Sequence, residues 1–146
     1  QLKETPFKFE SGTPAIEGAL GMKAAIDYLQ ALGMADIHAH EQQLRAYMVA
    51  GMKQMDHVIL YNEEADSGIV TFNVKNVFAQ DAASWFNANG IALRSGQHCA
   101  KLLVEFLQTS ATLRASLYVY NTKAEIDRFL EVLQGCTMEN CLNIFF

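Results

Sequence analysis

The chain opens on TPFKFESG, a stretch with no period of its own, and then settles into a helical one. Ala15, Ala19, Met22, Ile26 and Leu29 recur every three to four residues, with Glu17, Lys23, Asp27 and Gln30 away from that stripe. Thr13 is placed to cap this helix and Pro14 falls at its first position, where the missing N–H of proline costs nothing. Gly33 closes it. Asp36 is read as the cap of a second helix running to about Gln54, with Ile37, Leu44, Met48 and Met55 as its stripe.

The period then changes. HVILY (57–61) and GIVTFNV (68–74) are short β-rich runs joined by the polar NEEADS, a hairpin pattern, and Val70, Phe72 and Val74 make one face of the second run the more apolar. A third helix is predicted from Ala79 to Asn89, packing Trp85 and Phe86 and stopping at Gly90. Next come a strand IALR (91–94), a short helix near Leu102 to Leu107 and a strand LRASLYVY (113–120). The last helix opens on Thr122-Lys-Ala-Glu125, a capping-box pattern, and buries Ile126, Phe129, Leu130 and Leu133. With no repeat or linker, this order predicts one domain over 1–146: an α+β fold in which helices cover one face of a small, mostly antiparallel sheet.

Composition narrows the possible partners. A 146-residue chain that is 51% hydrophobic can bury a core without crosslinks. A net charge of -5 leaves no basic surface to grip a phosphate backbone, so nucleic acid is not an expected partner. No apolar run reaches the roughly 18 residues of a membrane span, and the first ten residues lack a signal peptide's apolar centre. The expectation is a cytoplasmic chain with no membrane partner. Cys99, Cys136 and Cys141 are an odd number of cysteines, which fits a reducing compartment and a thiol used as a thiol. The chain opens on Gln1 instead of Met, so a fragment of a longer protein is expected.

Candidate chemistry gathers in IALRSGQHCAKLL (91–103), where an apolar strand runs into an arginine, a flexible glycine and a His-Cys pair. A thiolate is favoured on an exposed loop near cations, and Cys99 has Arg94 and His98 close in sequence. The structural alternative is a small buried hydrophobe. Neighbouring side chains on extended backbone point to opposite sides, so His98 is not placed as a base for Cys99. Arg114 falls on the polar face of its strand; alone it reads as a surface cation, while paired with Arg94 it has the fork geometry that grips a carboxylate. Zinc is not assigned: His38-Ala-His40 lacks helical i,i+4 spacing, and Cys136-x4-Cys141 lacks further ligands.

RSGQHCA (94–100), RASLYVYNT (114–122) and the helix from Ala124 to Phe129, together with FKFESGTPAIEGALG (7–21), resemble the C-terminal part of SUF-type cysteine desulfurases. These are relatives of selenocysteine lyases in the class V aminotransferase group, and the resemblance runs from about Phe7 to Leu133. It implies the small C-terminal domain of a fold type I pyridoxal phosphate enzyme. In such enzymes the cofactor ring acts as an electron sink while the catalytic thiolate attacks the sulfur of L-cysteine, or the selenium of selenocysteine. Alanine leaves, and a persulfide passes to a sulfur-acceptor protein for iron-sulfur cluster assembly.

Carried over by motif, Cys99 is the nucleophile, Arg114 the main carboxylate grip, and Arg94 its support or that of the loop. Gly96 is the hinge and His98 positions the loop. Gly12 and Thr13 lie where the family's homodimers reach toward the cofactor phosphate of the neighbouring subunit, an arrangement suited to an anion at a helix start; as simple helix-cap residues they need no cofactor. The resemblance also implies that the cofactor lysine belongs to a larger N-terminal domain, so this chain alone is expected to be inactive and to bind no pyridoxal phosphate covalently. Gln97, Phe78 and Gln80 replace family histidines, and the tail GCTMENCLNIFF is unlike the family's ending. Two other readings are a non-catalytic α+β module acting by binding or dimerisation, and transfer of nitrogen instead of sulfur, which leaves the Cys99 loop without a use.

Overall fold

The computed structural model describes residues 2–144, and the chain divides into two compact units, Gln1–Asp36 and Ile37–Phe146. The first unit holds a 3-10 turn at Phe7–Phe9 and the helix α1, Ile16–Leu32. α1 starts later than the sequence predicts: its N-cap is Ala15, which makes no side-chain capping bond, and Thr13 lies ahead of it. Proline disfavours helical backbone in the residue before it, which takes Thr13 out of the helix. The Ile16 N–H then donates to the Pro14 carbonyl at 2.8 Å, so the first turn forms after the proline. Gly33 ends α1 as predicted, in left-handed backbone at φ +89. The predicted stripe is not a buried one, since no α1 residue is buried and Met22 is 64% exposed. Amphipathic spacing identifies a face but not what covers it.

α2, Met34–Met52, begins in the last residues of the first unit. Asp36 sits inside its first turn, beside the positive helix end, instead of capping it. Ile37, Leu44 and Met48 are buried as predicted, and Met55 lies beyond the helix, half-buried.

The second unit is built on four strands, β1 (Val58–Leu60), β2 (Ile69–Val74), β3 (Arg94–Gly96) and β4 (Thr112–Ser116), in the order β1-β2-β4-β3 and antiparallel throughout. The hairpin and the alternation in β2 stand as read: Val70, Phe72 and Val74 are buried and their neighbours are not. Leu113 and Ala115 of β4 face the same core, which α2, α3 (Ala79–Ala88) and α5 (Lys123–Gln134) cover with Met48, Phe86 and Phe129. Phe72 meets Phe129 edge-on at 5.8 Å between centroids, and Phe86 stacks on Phe129 at 5.2 Å, so three aromatics join sheet to helices. Each such burial is worth about 1.5–3 kcal/mol. The fold is therefore α+β, with helices on one face of a small antiparallel sheet, as the sequence predicts.

Two strand boundaries move. IALR pairs only from Arg94, because the Ile91 N–H donates to the Phe86 carbonyl at 2.9 Å and keeps that residue at the end of α3. LRASLYVY stops pairing at Ser116: the Asn121 side chain accepts the Tyr118 N–H at 2.9 Å and turns the chain into α5. There Thr122 and Glu125 form the predicted capping box. The short helix near Leu102 is α4, Lys101–Phe106. The tail, left without an element from sequence, forms α6, Met138–Asn143, against α3, with Cys136 and Cys141 buried and their Sγ atoms 3.6 Å apart.

Candidate active site

With one face of the sheet covered by helices, the other carries the polar residues. Thr71, Arg114 and Arg94 stand directly opposite one another on β2, β4 and β3. Directly opposed residues share a face, so both arginines lie on the side away from the core. Arg94 is exposed; Arg114 is half-buried, and its Nε is shut from solvent with no hydrogen-bond partner. Neither arginine makes an ion pair among the described residues. Like charges facing each other across a ladder are destabilising. The unpartnered Arg114 Nε leaves hydrogen-bonding capacity on this face, and a guanidinium is a group that can bind a carboxylate through two parallel bonds.

β3 ends at Gly96, whose φ of +126 is open to glycine and strained for other residues. The chain then turns at once. The Ala100 N–H donates to the Gln97 carbonyl at 2.8 Å, and the two residues between, His98 and Cys99, have φ of +52 and +58. Positive φ at both central positions marks a type I′ turn, which normally takes Asn-Gly. The backbone here is therefore not extended, which replaces the premise used to separate His98 from Cys99. Cys99 sits exposed on the turn, whereas Cys136 and Cys141 are buried.

His98 Nε2 lies 3.1 Å from the Thr112 carbonyl and 3.0 Å from the Thr112 hydroxyl. A carbonyl only accepts, so Nε2 carries the proton and donates it. Nδ1 is buried and unpartnered, and is not bonded to the thiol. Burial holds the imidazole below its ordinary titration range; the Thr112 carbonyl opposes this, and the charges of Arg114 and Arg94 add to it. The His98 Nε2 donor is committed to β4.

Residues 1–129 match the family described as aminotransferase class-V. The chain belongs to that family. Over 132 residues it is 43% identical to a probable cysteine desulfurase of Halalkalibacterium halodurans, covering 90% of this chain and 32% of that protein. It is 45% identical over 136 residues to a probable cysteine desulfurase of Synechocystis, with the same coverage. The apo structure of a cysteine desulfurase from Thermococcus onnurineus superposes with a TM-score of 0.85 at 36% identity, covering 92% of this chain and 34% of that one. This class-V chain thus spans about a third of the length of the relatives it matches.

Of the residues singled out from sequence, Arg94, Arg114, Gly96, His98 and Cys99 fall on β3, β4 and the turn between β3 and α4. Gly12 and Thr13 lie in the first unit, exposed, ahead of α1. A Cβ at Gly12 would meet nothing within 4 Å, so its backbone lies in open space. Lys101, two residues after the thiol, is exposed and faces Glu105 at 3.8 Å. His38 pairs with Asp66 at 3.1 Å, and His40 meets the Asn121 carbonyl at 2.9 Å. No described helix is long and apolar enough to cross a membrane. A cleft of about 570 Å³ between Ile91–Leu93, Ala115–Leu117 and α5 contains none of the candidate residues. Sequence reasoning missed Thr112: a threonine ahead of an apolar strand carries no signal until the register sets it opposite Gly96.

Proposed function

We propose that this chain is the C-terminal domain of a cysteine desulfurase, and that Cys99 takes the sulfur of L-cysteine, or the selenium of selenocysteine, as a persulfide while alanine is released. The observation that carries this reading is the Arg94–Arg114 couple on the sheet face, without an ion pair among the described residues, whose Arg94 leads in sequence into a turn that exposes Cys99. Arg114 binds the substrate carboxylate, with Arg94 as second donor, fixing the amino acid by its acid end. The Cys99 thiolate attacks the substrate sulfur; an S–S bond forms as the substrate C–S bond breaks, its electron pair staying with carbon. Gly96 lets the turn move, so the persulfide reaches a sulfur-acceptor protein for iron-sulfur cluster assembly.

Pyridoxal phosphate, when bound, supplies the electron sink that makes this cleavage possible. Gly12 and Thr13 are the residues of this chain that would meet its phosphate, in a homodimer of the complete enzyme. The Schiff-base lysine belongs to the N-terminal domain on this reading, so the isolated chain is expected to release no alanine.

Replacing Cys99 by Ser in the complete protein tests the assignment. Alanine release from cysteine should fall to background and no persulfide should appear on the Cys99 peptide. An undiminished rate would mean that Cys99 is not the nucleophile.

A further inference from the structure

Among the described residues only Arg45 and Thr112 are polar or charged and buried, and Thr112 is 2% exposed. It stands opposite Gly96, the last residue of β3, and both of its oxygens lie within reach of His98 Nε2. The ring it holds belongs to the first central residue of the Cys99 turn. That turn has two consecutive side-chain-bearing residues in left-handed backbone, a conformation that persists only where surrounding contacts over-determine it. The turn's own bond, Ala100 N–H to the Gln97 carbonyl, spans both strained residues. The His98 ring, fixed to β4 from within the sheet, is the contact that can hold them.

We propose that Thr112 is a positioning residue for Cys99: it holds the His98 imidazole, and through it the strained turn that carries the thiol. The hydroxyl supplements what the carbonyl alone provides, because two acceptors fix the ring plane where one fixes only a direction. The effect on catalysis rests on the reading of Cys99 as the reacting thiol; the effect on the turn does not.

The test uses the complete protein, N-terminal domain included, with Thr112→Val, Thr112→Ser, His98→Ala and the double variant His98→Ala/Thr112→Val. Valine keeps the volume of threonine and removes only the hydroxyl, so the core stays filled. Expected for Thr112→Val is a drop in kcat of about three- to tenfold, the worth of one net hydrogen bond, with KM for cysteine within about twofold. The Ala100 amide should exchange its hydrogen faster by a similar factor. Thr112→Ser should restore both readouts, and Thr112→Val should add nothing once His98 is alanine. A Thr112→Val effect of equal size in the His98→Ala background would overturn the proposal, because the effect would not pass through the ring. So would unchanged Ala100 exchange in Thr112→Val. If instead the exchange effects appear while Cys99→Ser still releases alanine, the nucleophile assignment fails and the holding of the turn stands.

Discussion

Arg114 and Arg94 share one face of the sheet and make no ion pair among the described residues, so their contribution should show in binding more than in folding. Removing a hydrogen bond to a charged group costs about 1.5–3 kcal/mol, so Arg114→Ala should lower kcat/KM for cysteine by about 10- to 100-fold. The thermal midpoint should stay level or rise as the like-charge opposition is relieved. Steady-state kinetics paired with a melt checks this. Arg114→Lys should recover little, since an ammonium lacks the planar fork. His98 carries a pH signature of its own. Its folded-state pKa is depressed, chiefly by burial, while the unfolded chain protonates it near the ordinary 6.5. Between those values the unfolded state holds more protons, so stability is complete above about pH 6.5 and is lost as pH falls toward the folded value. Denaturant midpoints of the parent and of His98→Ala should converge across that interval on the acid side.

At the scale of elements, two glycines mark close approaches of unequal hardness. A Cβ at Gly68 would fall 2.5 Å from the Leu117 backbone oxygen, at the point where the Leu117 N–H donates to the Gly68 carbonyl. At Gly51 in α2 it would fall 2.5 Å from the tip of Leu130, a side chain that can rotate away. Gly68→Ala should therefore cost about 1–3 kcal/mol, while Gly51→Ala should sit nearer neutral because alanine is the better helix former. Chemical denaturation of the two variants decides it. The same contrast explains what could be read in advance. β2 declared itself by strict alternation and α5 by a capping box with a regular stripe, since their local chemistry agrees with their place in the fold. The α1 stripe was legible as a face, but spacing says nothing of whether a partner covers it. The ends of β3 and β4 were misjudged because single bonds from Phe86 and Asn121 decide them, and those bonds exist only once α3 and α5 are in place. The Cys99 turn was the least legible part: His-Cys is a poor type I′ sequence, and the residue best placed to hold it, Thr112, lies on another strand.

Across the whole molecule the three thiols sort by burial. Cys136 is pushed well above its ordinary range by burial and by the neighbouring Cys141, and burial raises Cys141 as well. Native protein treated with iodoacetamide should carry the label on Cys99 alone, and unfolded protein on all three; peptide mass spectrometry reads both cases. A labelled Cys141 in native protein would mean that α6 detaches readily from α3. The sheet order has a further consequence for how the molecule assembles. β4 lies inside the sheet between β2, which ends well before it in the chain, and β3, from which α4 separates it, so no tight hairpin can form it. Pairing of this kind waits for long loops to close, which is slow, and tends to complete late. The arginine couple exists only after that closure. A carboxylate ligand would then find nothing to hold in a half-folded chain: it would leave the folding rate untouched and act by slowing escape from the finished structure.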